Sequence, residues 1–361
     1  MKDLKTALQK HGFLGELDDS PEAKEFYSHD ASMFEIRPQL IAAPKDSADV
    51  QRLVRFVASN KKKHPTLSLT GRSAGTDMAG GAINDSIIVD FAKHFTHIGP
   101  ITGLSGTAQP GVFYRDFERE TLKKHVLMPS YPASRDLCMI GGITNNNSGG
   151  EKSLEYGKVE KFVTDMRVVF ADGKEYEVKP LNKKQLQAKI NQGDYEGKIY
   201  ERIYRLCEEH YDTIKEARPR VSKNSMGYGI WNVWDRETGV FDLGQLIIGS
   251  EGTLGMLTET TFRLVPHRPH SGLLVLFLKS TNDLGELIPK VLSYQPATFE
   301  CFDQATLLLT IKFMPYFLKM LGPKKFVHLV VSLIPDALQL LRGVPKMILM
   351  VEFNGENEDE V

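Results

Sequence analysis

The chain has 361 residues, carries 45 basic against 46 acidic side chains for a net charge of −1, and is 41% hydrophobic and 25% charged. That much apolar material excludes a disordered protein and allows about two domains with sizeable cores, at roughly 100 to 200 residues per domain. The lack of a basic excess argues against a nucleic-acid binder, which needs cations to neutralise phosphates, so a small molecule is the expected partner.

Residues 1–37 are polar and end at Arg37-Pro38, which predicts an N-terminal arm leading into a strand. Pro44-Lys45-Asp46-Ser47 then offers a helix start. Val50, Leu53, Val54 and Val57 are spaced for one buried helical face, and the basic run at 60–64 closes the helix. Strands are predicted at 66–70 and 86–91, with a glycine-rich loop between them. Strand-like runs at 106–109, 167–170 and 175–179 alternate with a helix near 114–124 and with glycine turns at Gly141-Gly142 and Gly149-Gly150, which makes this block α+β. Residues 183–218 read as helical and charge-rich, and 242–264 return to strand and turn character.

Two prolines in Val265-Pro266-His267-Arg268-Pro269 predict a linker. After it, a strand at 273–278, a helix at 283–292 and a strand at 346–353 fit the start of a split βαβ domain. Such a domain needs further strands, and the sequence stops in NGENEDEV, so this part is expected to be truncated. The predicted division is 1–37, 38–266 and 267–361. Cys138, Cys207 and Cys301 are dispersed and form neither a disulfide framework nor a zinc ribbon, which predicts a reducing, cytoplasmic compartment. Apolar runs fall far short of the roughly 18 residues of a membrane helix, so neither a transmembrane segment nor a signal peptide is expected. Peripheral membrane association is left open.

The most informative stretch is GRSAGTDMAGGA at 71–82. Small residues at Gly71, Ser73, Ala74 and Gly75 let successive backbone N–H groups turn toward one point, the nest that binds phosphate oxygens without positive side chains. The spacing is neither the dinucleotide fingerprint G-x-G-x-x-G nor a Walker loop. A second loop runs from Tyr131-Pro132-Ala133-Ser134 into IGGITNNNSGG at 140–150, and a third, GSEGTLGMLTE, spans 249–259.

In this order and spacing the three loops resemble the FAD-binding domain of the vanillyl-alcohol oxidase and p-cresol methylhydroxylase superfamily, in particular its D-lactate, glycolate and D-2-hydroxyglutarate dehydrogenase branch. The resemblance implies an α+β chain: a two-subdomain FAD-binding domain at 38–266, followed by the start of an α+β cap domain. It also implies an FAD-dependent oxidoreductase that passes a hydride from a D-2-hydroxy acid to flavin N5. By the same resemblance the cofactor-binding residues are Gly71, Arg72, Ser73, Ala74, Gly75, Thr76, Asp77 and Met78 in the first loop. Pro132, Ser134, Gly141, Gly142, Asn145 and Asn147 belong to the second, with Val163 ahead of a strand and Glu251 and Gly252 closing the site. Thr76 stands where some members carry a histidine that bonds flavin, and Cys138 lies one position from a second attachment point, so noncovalent FAD is expected.

Arg220, Lys223 and Tyr228 fall in a segment that in relatives lies near the substrate, with Ser222 where an arginine pairs with a carboxylate. His94 and His97, and His267 and His270, have helical metal-pair spacing, but strand ends and prolines surround them and no metal site is expected. The H-G-D-G-N-[LI]-H type motif of relatives, a source of substrate contacts and a proton acceptor, does not occur in residues 1–361, so no catalytic residue is assigned. Two readings follow: an enzyme whose remaining residues supply the base, or an FAD-holding subunit completed by a partner chain. In either case a carboxylate introduced at Gly75 or Gly141 is expected to block the cofactor and leave the protein folded.

Overall fold

The computed structural model describes residues 4–221, 223–224, 227–316 and 343–361. They divide into two compact units, Met1–Gly150 with Gly157–His267, and Glu151–Tyr156 with Arg268–Val361.

Two larger sheets carry the first unit, with two smaller ones of two and three short strands beside them. Strands β1 (Glu16–Asp18), β2 (Leu40–Ala43), β3 (Leu69–Arg72) and β4 (Ile87–Asp90) form a sheet in the order β1-β2-β4-β3. β4 pairs in parallel with both β2 and β3, while β1 is antiparallel at the edge. β4 reads IIVD and is buried throughout, as a central parallel strand covered on both faces must be. Helices α1 (Leu4–Lys10), α2 (Pro21–Phe26) and α3 (Ser47–Asn60) accompany this sheet. α3 starts where the Asp46 carboxylate accepts the Asp49 N–H at 2.9 Å, and it buries Val50, Leu53 and Phe56. These pack with Leu40, Ile87, Val89, Phe91 and Phe95 into one core.

The second sheet is antiparallel. It consists of β5 (Ile98–Thr102), β6 (Ser105–Ala108), β7 (Val163–Val169), β8 (Glu175–Val178) and β9 (Met256–Arg263), in the order β5-β6-β9-β7-β8. Its helices are α4 (Tyr114–Leu122), α5 (Ile140–Asn145), α6 (Lys183–Ile190) and α7 (Tyr195–Glu209). A second core gathers Met166, Val168, Tyr200, Trp234, Phe241 and Leu257. Val169 and Met256 belong instead to the first core, so β7 and β9 join the two layers.

Four local expectations change. Residues 4–37 are no free arm: α1 and the turn after it bury Leu4, Leu8 and Phe13 in the first core, and β1 extends the sheet. Gly71 and Arg72 are strand residues because they pair with Val89 and Asp90. Gly141 and Gly142 lie inside α5 rather than in a turn. Val265-Pro266 does not link freely but pairs with Val126–Leu127, and the His267 N–H reaches the His125 carbonyl.

In the second unit, β10 (His270–Leu278), β11 (Thr298–Asp303) and β12 (Met347–Gly355) form an antiparallel sheet with β12 central, accompanied by α8 (Leu284–Leu292). Residues 151–156 join it, with Arg268 Nη1 2.8 Å from a Glu155 carboxylate oxygen.

Candidate functional site

Where β3 ends, the chain leaves the sheet. Ser73 Oγ donates to the Pro110 carbonyl at 3.0 Å, and Gly75 turns the backbone at φ +67°. Two residues later the Asp77 carboxylate accepts the Gly81 N–H at 2.6 Å and closes the loop. The backbone N–H groups of Ser73, Ala74, Gly75 and Thr76 find no acceptor among the described residues. Four adjacent unspent donors on a glycine-turned loop make a ready anion cradle.

The same Pro110 carbonyl accepts the Gly141 N–H at 2.9 Å, so one oxygen ties the first loop to the start of α5. Gly141 is required there: a Cβ would lie 2.6 Å from both Pro110 Cβ and Ser73 Oγ. At Gly142 a Cβ would meet nothing within 4 Å. Asn145 donates its amide to the Gly141 carbonyl at 3.1 Å, which leaves its own carbonyl oxygen buried without a partner. Buried acceptors are rarely left so, and a donor from a bound molecule would satisfy this one.

The third segment hangs from the end of α5. Gly249 N–H reaches the Thr144 carbonyl at 3.2 Å and Glu251 N–H the Asn145 carbonyl at 2.9 Å, with Glu251 held at φ +52°. Three stretches distant in sequence thus meet around α5, the first through the Ser73 hydroxyl and the shared Pro110 carbonyl and the third through backbone hydrogen bonds.

They enclose a solvent-open cleft of about 860 Å³. Phe91, Met139, Ile143, Met256 and Leu257 give its lining an apolar part, and the first loop and the glycines of α5 line it as well. An apolar slot with a few convergent polar groups is the usual form of a small-molecule site. Gly71, Ser73, Ala74, Gly75, Thr76, Asp77, Pro132, Ser134, Gly141, Gly142, Asn145, Glu251 and Gly252 all line it. Arg72 does not; strand alternation turns its side chain to the opposite face, over the Tyr27 ring at 5.2 Å. Met78 is exposed outside the lining, and Val163 packs against the second core. Asn147 is a clamp, giving its amide to the Glu160 carboxylate at 2.5 Å and accepting the Glu160 N–H at 3.1 Å.

Arg220 and Lys223 are exposed, and Tyr228 pairs its hydroxyl with Thr253 Oγ1 at 2.9 Å. None of the three lines the cleft, and Ser222 lies outside the described residues. Their neighbours Arg218, Asn224 and Gly227 instead line a second cavity of about 700 Å³ with Lys158, Lys161 and Glu160. Lys158 is buried there, its ammonium on the Asn224 carbonyl and 3.6 Å from Glu160. His94 is taken by Glu16 at 2.8 Å. Sequence reasoning assigned no role to Pro110, Phe91, Met256 or Leu257, although Met256 and Leu257 lie within the third segment and Phe91 ends a predicted strand.

The cleft's charged groups are acidic. A Cβ at Gly81 would meet carboxylate oxygens of Asp77 and Glu251 at 2.9 Å each, so the two side chains converge on one point. Burial, then the nearby Asp77, raises the Glu251 carboxyl above its ordinary range. Burial also pushes the Cys138 thiol, on the cleft lining, up to about 11, so it stays protonated at neutral pH.

Residues 38–179 match the family described as "FAD binding domain". A D-2-hydroxyglutarate dehydrogenase of Escherichia coli (strain K12) is 29% identical over 256 residues, covering 70% of this chain and 25% of that protein. The glycolate oxidase subunit GlcD of Bacillus subtilis (strain 168) is 26% identical over 313 residues, covering 85% of this chain and 54% of the subunit. A solved alkyldihydroxyacetonephosphate synthase shares the fold at TM-score 0.62 and 16% identity, over 94% of this chain and 53% of that one. The chain therefore spans from a quarter to about half the length of these proteins. Its 38–179 region is an FAD-binding domain, and the resemblance to FAD-linked oxidases and dehydrogenases of the p-cresol methylhydroxylase type holds. The cleft fits that cofactor: unspent amides for a diphosphate, an orphaned acceptor at Asn145 and apolar side chains for a planar ring system.

Proposed function

We propose that this chain holds FAD without a covalent bond, as the flavin part of an oxidoreductase acting on the CH–OH group of a D-2-hydroxy acid such as lactate, glycolate or 2-hydroxyglutarate. The observation that carries the proposal is the cleft itself, whose lining combines four residues with unspent backbone donors and a set of apolar side chains. When bound, FAD supplies a two-electron acceptor. The chain's own residues bind and orient it. The Ser73–Thr76 amides would hold the diphosphate, the Asn145 side-chain oxygen would accept an N–H of the ring, and Phe91, Met256 and Leu257 would keep water from the ring. Thr76 has no ring nitrogen to bond the flavin, and the protonated Cys138 thiol is a poor nucleophile.

The second cavity supports the substrate class. Lys158, Lys161 and Arg218 line it with a single carboxylate, Glu160, which Lys158 and Asn147 already engage. The surplus positive charge suits a carboxylate, with Arg220, Lys223 and Tyr228 on the flanking segment. The three cysteines are free, in keeping with a reducing, cytoplasmic setting, and among the described residues no helix is long and apolar enough to cross a membrane. A second reading, an FAD-holding subunit completed by another chain, is supported by the relative that is itself a subunit.

Anaerobic addition of D-2-hydroxyglutarate, D-lactate or glycolate to the FAD-loaded protein tests the activity, alone and with a chain carrying the H-G-D-G-N-[LI]-H type motif. Bleaching of the flavin band by any one acid supports it, and bleaching only with the added chain selects the subunit reading. A flavin that stays oxidised in every combination overturns both.

A further inference from the structure

The first loop is braced by Arg72 and by two residues, Tyr27 and Ala31, that lie before the matched region. Ala31 N–H donates to the Gly75 carbonyl at 3.1 Å, fixing the residue that turns the loop. Arg72, only 6% exposed, lies directly beneath: a Cβ on Gly75 would fall 2.6 Å from its Nη2 and 2.8 Å from its Cζ. The guanidinium is stacked over Tyr27 and makes one long hydrogen bond, to the Ala82 carbonyl at 3.4 Å. No carboxylate among the described residues comes within ion-pair distance of it. Tyr27 is itself pinned, its hydroxyl donating to Asp90 Oδ2 at 2.7 Å across from Arg72 in the sheet register. Asp90 Oδ1 accepts the Ala92 N–H at 2.8 Å, and burial and this hydrogen bond push the Tyr27 phenol far above its ordinary range.

A buried guanidinium wedged in the space a Cβ would take at the turning glycine is a strut. It fixes the curvature that makes four successive N–H groups converge, and curvature decides how well they meet a diphosphate. We propose that Tyr27, Ala31 and Arg72 are positioning residues for the cofactor's diphosphate. The N-terminal segment then sets affinity for the phosphorylated part of FAD and leaves affinity for the bare ring system unchanged. The inference rests on the FAD reading above.

The geometry says what each substitution removes. Arg72→Lys keeps a buried cation but loses the planar guanidinium that fills the space beside Gly75. Tyr27→Phe keeps the ring under the guanidinium and loses only the tie to Asp90. The test is to titrate the apoprotein with FAD and with riboflavin, which lacks the phosphates, while following thermal unfolding of each apoprotein.

Arg72→Lys is expected to weaken FAD at least tenfold and Tyr27→Phe about threefold, with riboflavin affinity unchanged in both. A variant that weakens both flavins equally, or neither, overturns the strut. Because the readout is the ratio of the two affinities, partial loss of stability does not imitate the expected result. If Arg72→Lys fails to fold, Tyr27→Phe decides alone. Wild-type protein that binds no flavin would instead overturn the FAD reading itself, which keeps the two failures apart.

Discussion

Gly142 offers a direct perturbation of the proposed cofactor site. It sits in the first turn of α5, exposed to the cleft, where a Cβ meets nothing within 4 Å. A side chain is therefore accommodated without moving the protein, and replacing a helical glycine removes a backbone-entropy cost of about 0.5–1 kcal/mol. In Gly142→Asp the new carboxylate enters the cleft beside the unspent amides. At about 5 Å from one phosphate charge and an effective dielectric of about 20, the repulsion is about 3 kcal/mol. At about 1.4 kcal/mol per tenfold, that is roughly a hundredfold loss of FAD affinity. Gly142→Asn has the same shape without the charge and separates repulsion from bulk. Equilibrium titration of the three apoproteins with FAD, followed by flavin fluorescence, should give the aspartate variant a Kd about a hundredfold above wild type and well above the asparagine variant. Both variants should melt no lower than wild type. Equal wild-type affinity in both would refute the placement of the diphosphate at this turn.

Other consequences are testable with simpler assays. The expectation that Gly141 tolerates substitution is reversed: its Cβ would collide with Pro110 and Ser73, so Gly141→Ala should lose about 1–3 kcal/mol in denaturant unfolding before any ligand is added. Acid precipitation of flavin-loaded protein should release all the flavin into the supernatant, and flavin kept in the pellet would contradict noncovalent binding. Glu118 is buried and accepts Arg135 Nε at 3.0 Å and Nη2 at 2.5 Å beside the second loop, so Glu118→Ala should destabilise by about 2 kcal/mol, read as a fall in denaturant midpoint. The Glu251 carboxyl, raised above its ordinary range by burial and then by Asp77, contributes stability at low pH that is lost as pH rises through its folded value. A bound diphosphate opposes the same ionisation, so FAD affinity should fall as pH rises through that range. Glu251→Gln should flatten the profile, and an unchanged slope would show that Glu251 does not face the phosphates.

Strong periodicity made parts of the fold legible. α3 follows from Val50, Leu53 and their partners, and β4 from a run apolar enough for a strand buried on both faces. The polar spacing of residues 4–37 hid their packing, because Leu4, Leu8 and Phe13 are three apolar side chains whose partners, Leu40 and Phe56 among them, lie far along the chain. Two adjacent glycines at 141 and 142 read as a turn, yet one is there because Pro110 and Ser73 leave no room for a Cβ and the other opens onto the cleft. The three glycine-bearing loops were visible as composition. Only the family resemblance implied that they meet, since the contacts depend on the Pro110, Thr144 and Asn145 carbonyls, which any residue supplies. Arg72 shows the limit of reading a loop as a block: one step of strand alternation places Gly71 in the cleft and Arg72 behind it.

Amide hydrogen exchange with and without FAD tests the central claim, that these loops form the cofactor site. Ser73 to Thr76 and Gly142 have no backbone acceptor among the described residues, so without ligand they should exchange fast. With saturating FAD the account predicts new protection at residues 73–77, 140–146 and 250–256. Tight FAD binding with no protection there, or with protection only in the sheet at 270–278 and 347–355, would contradict it.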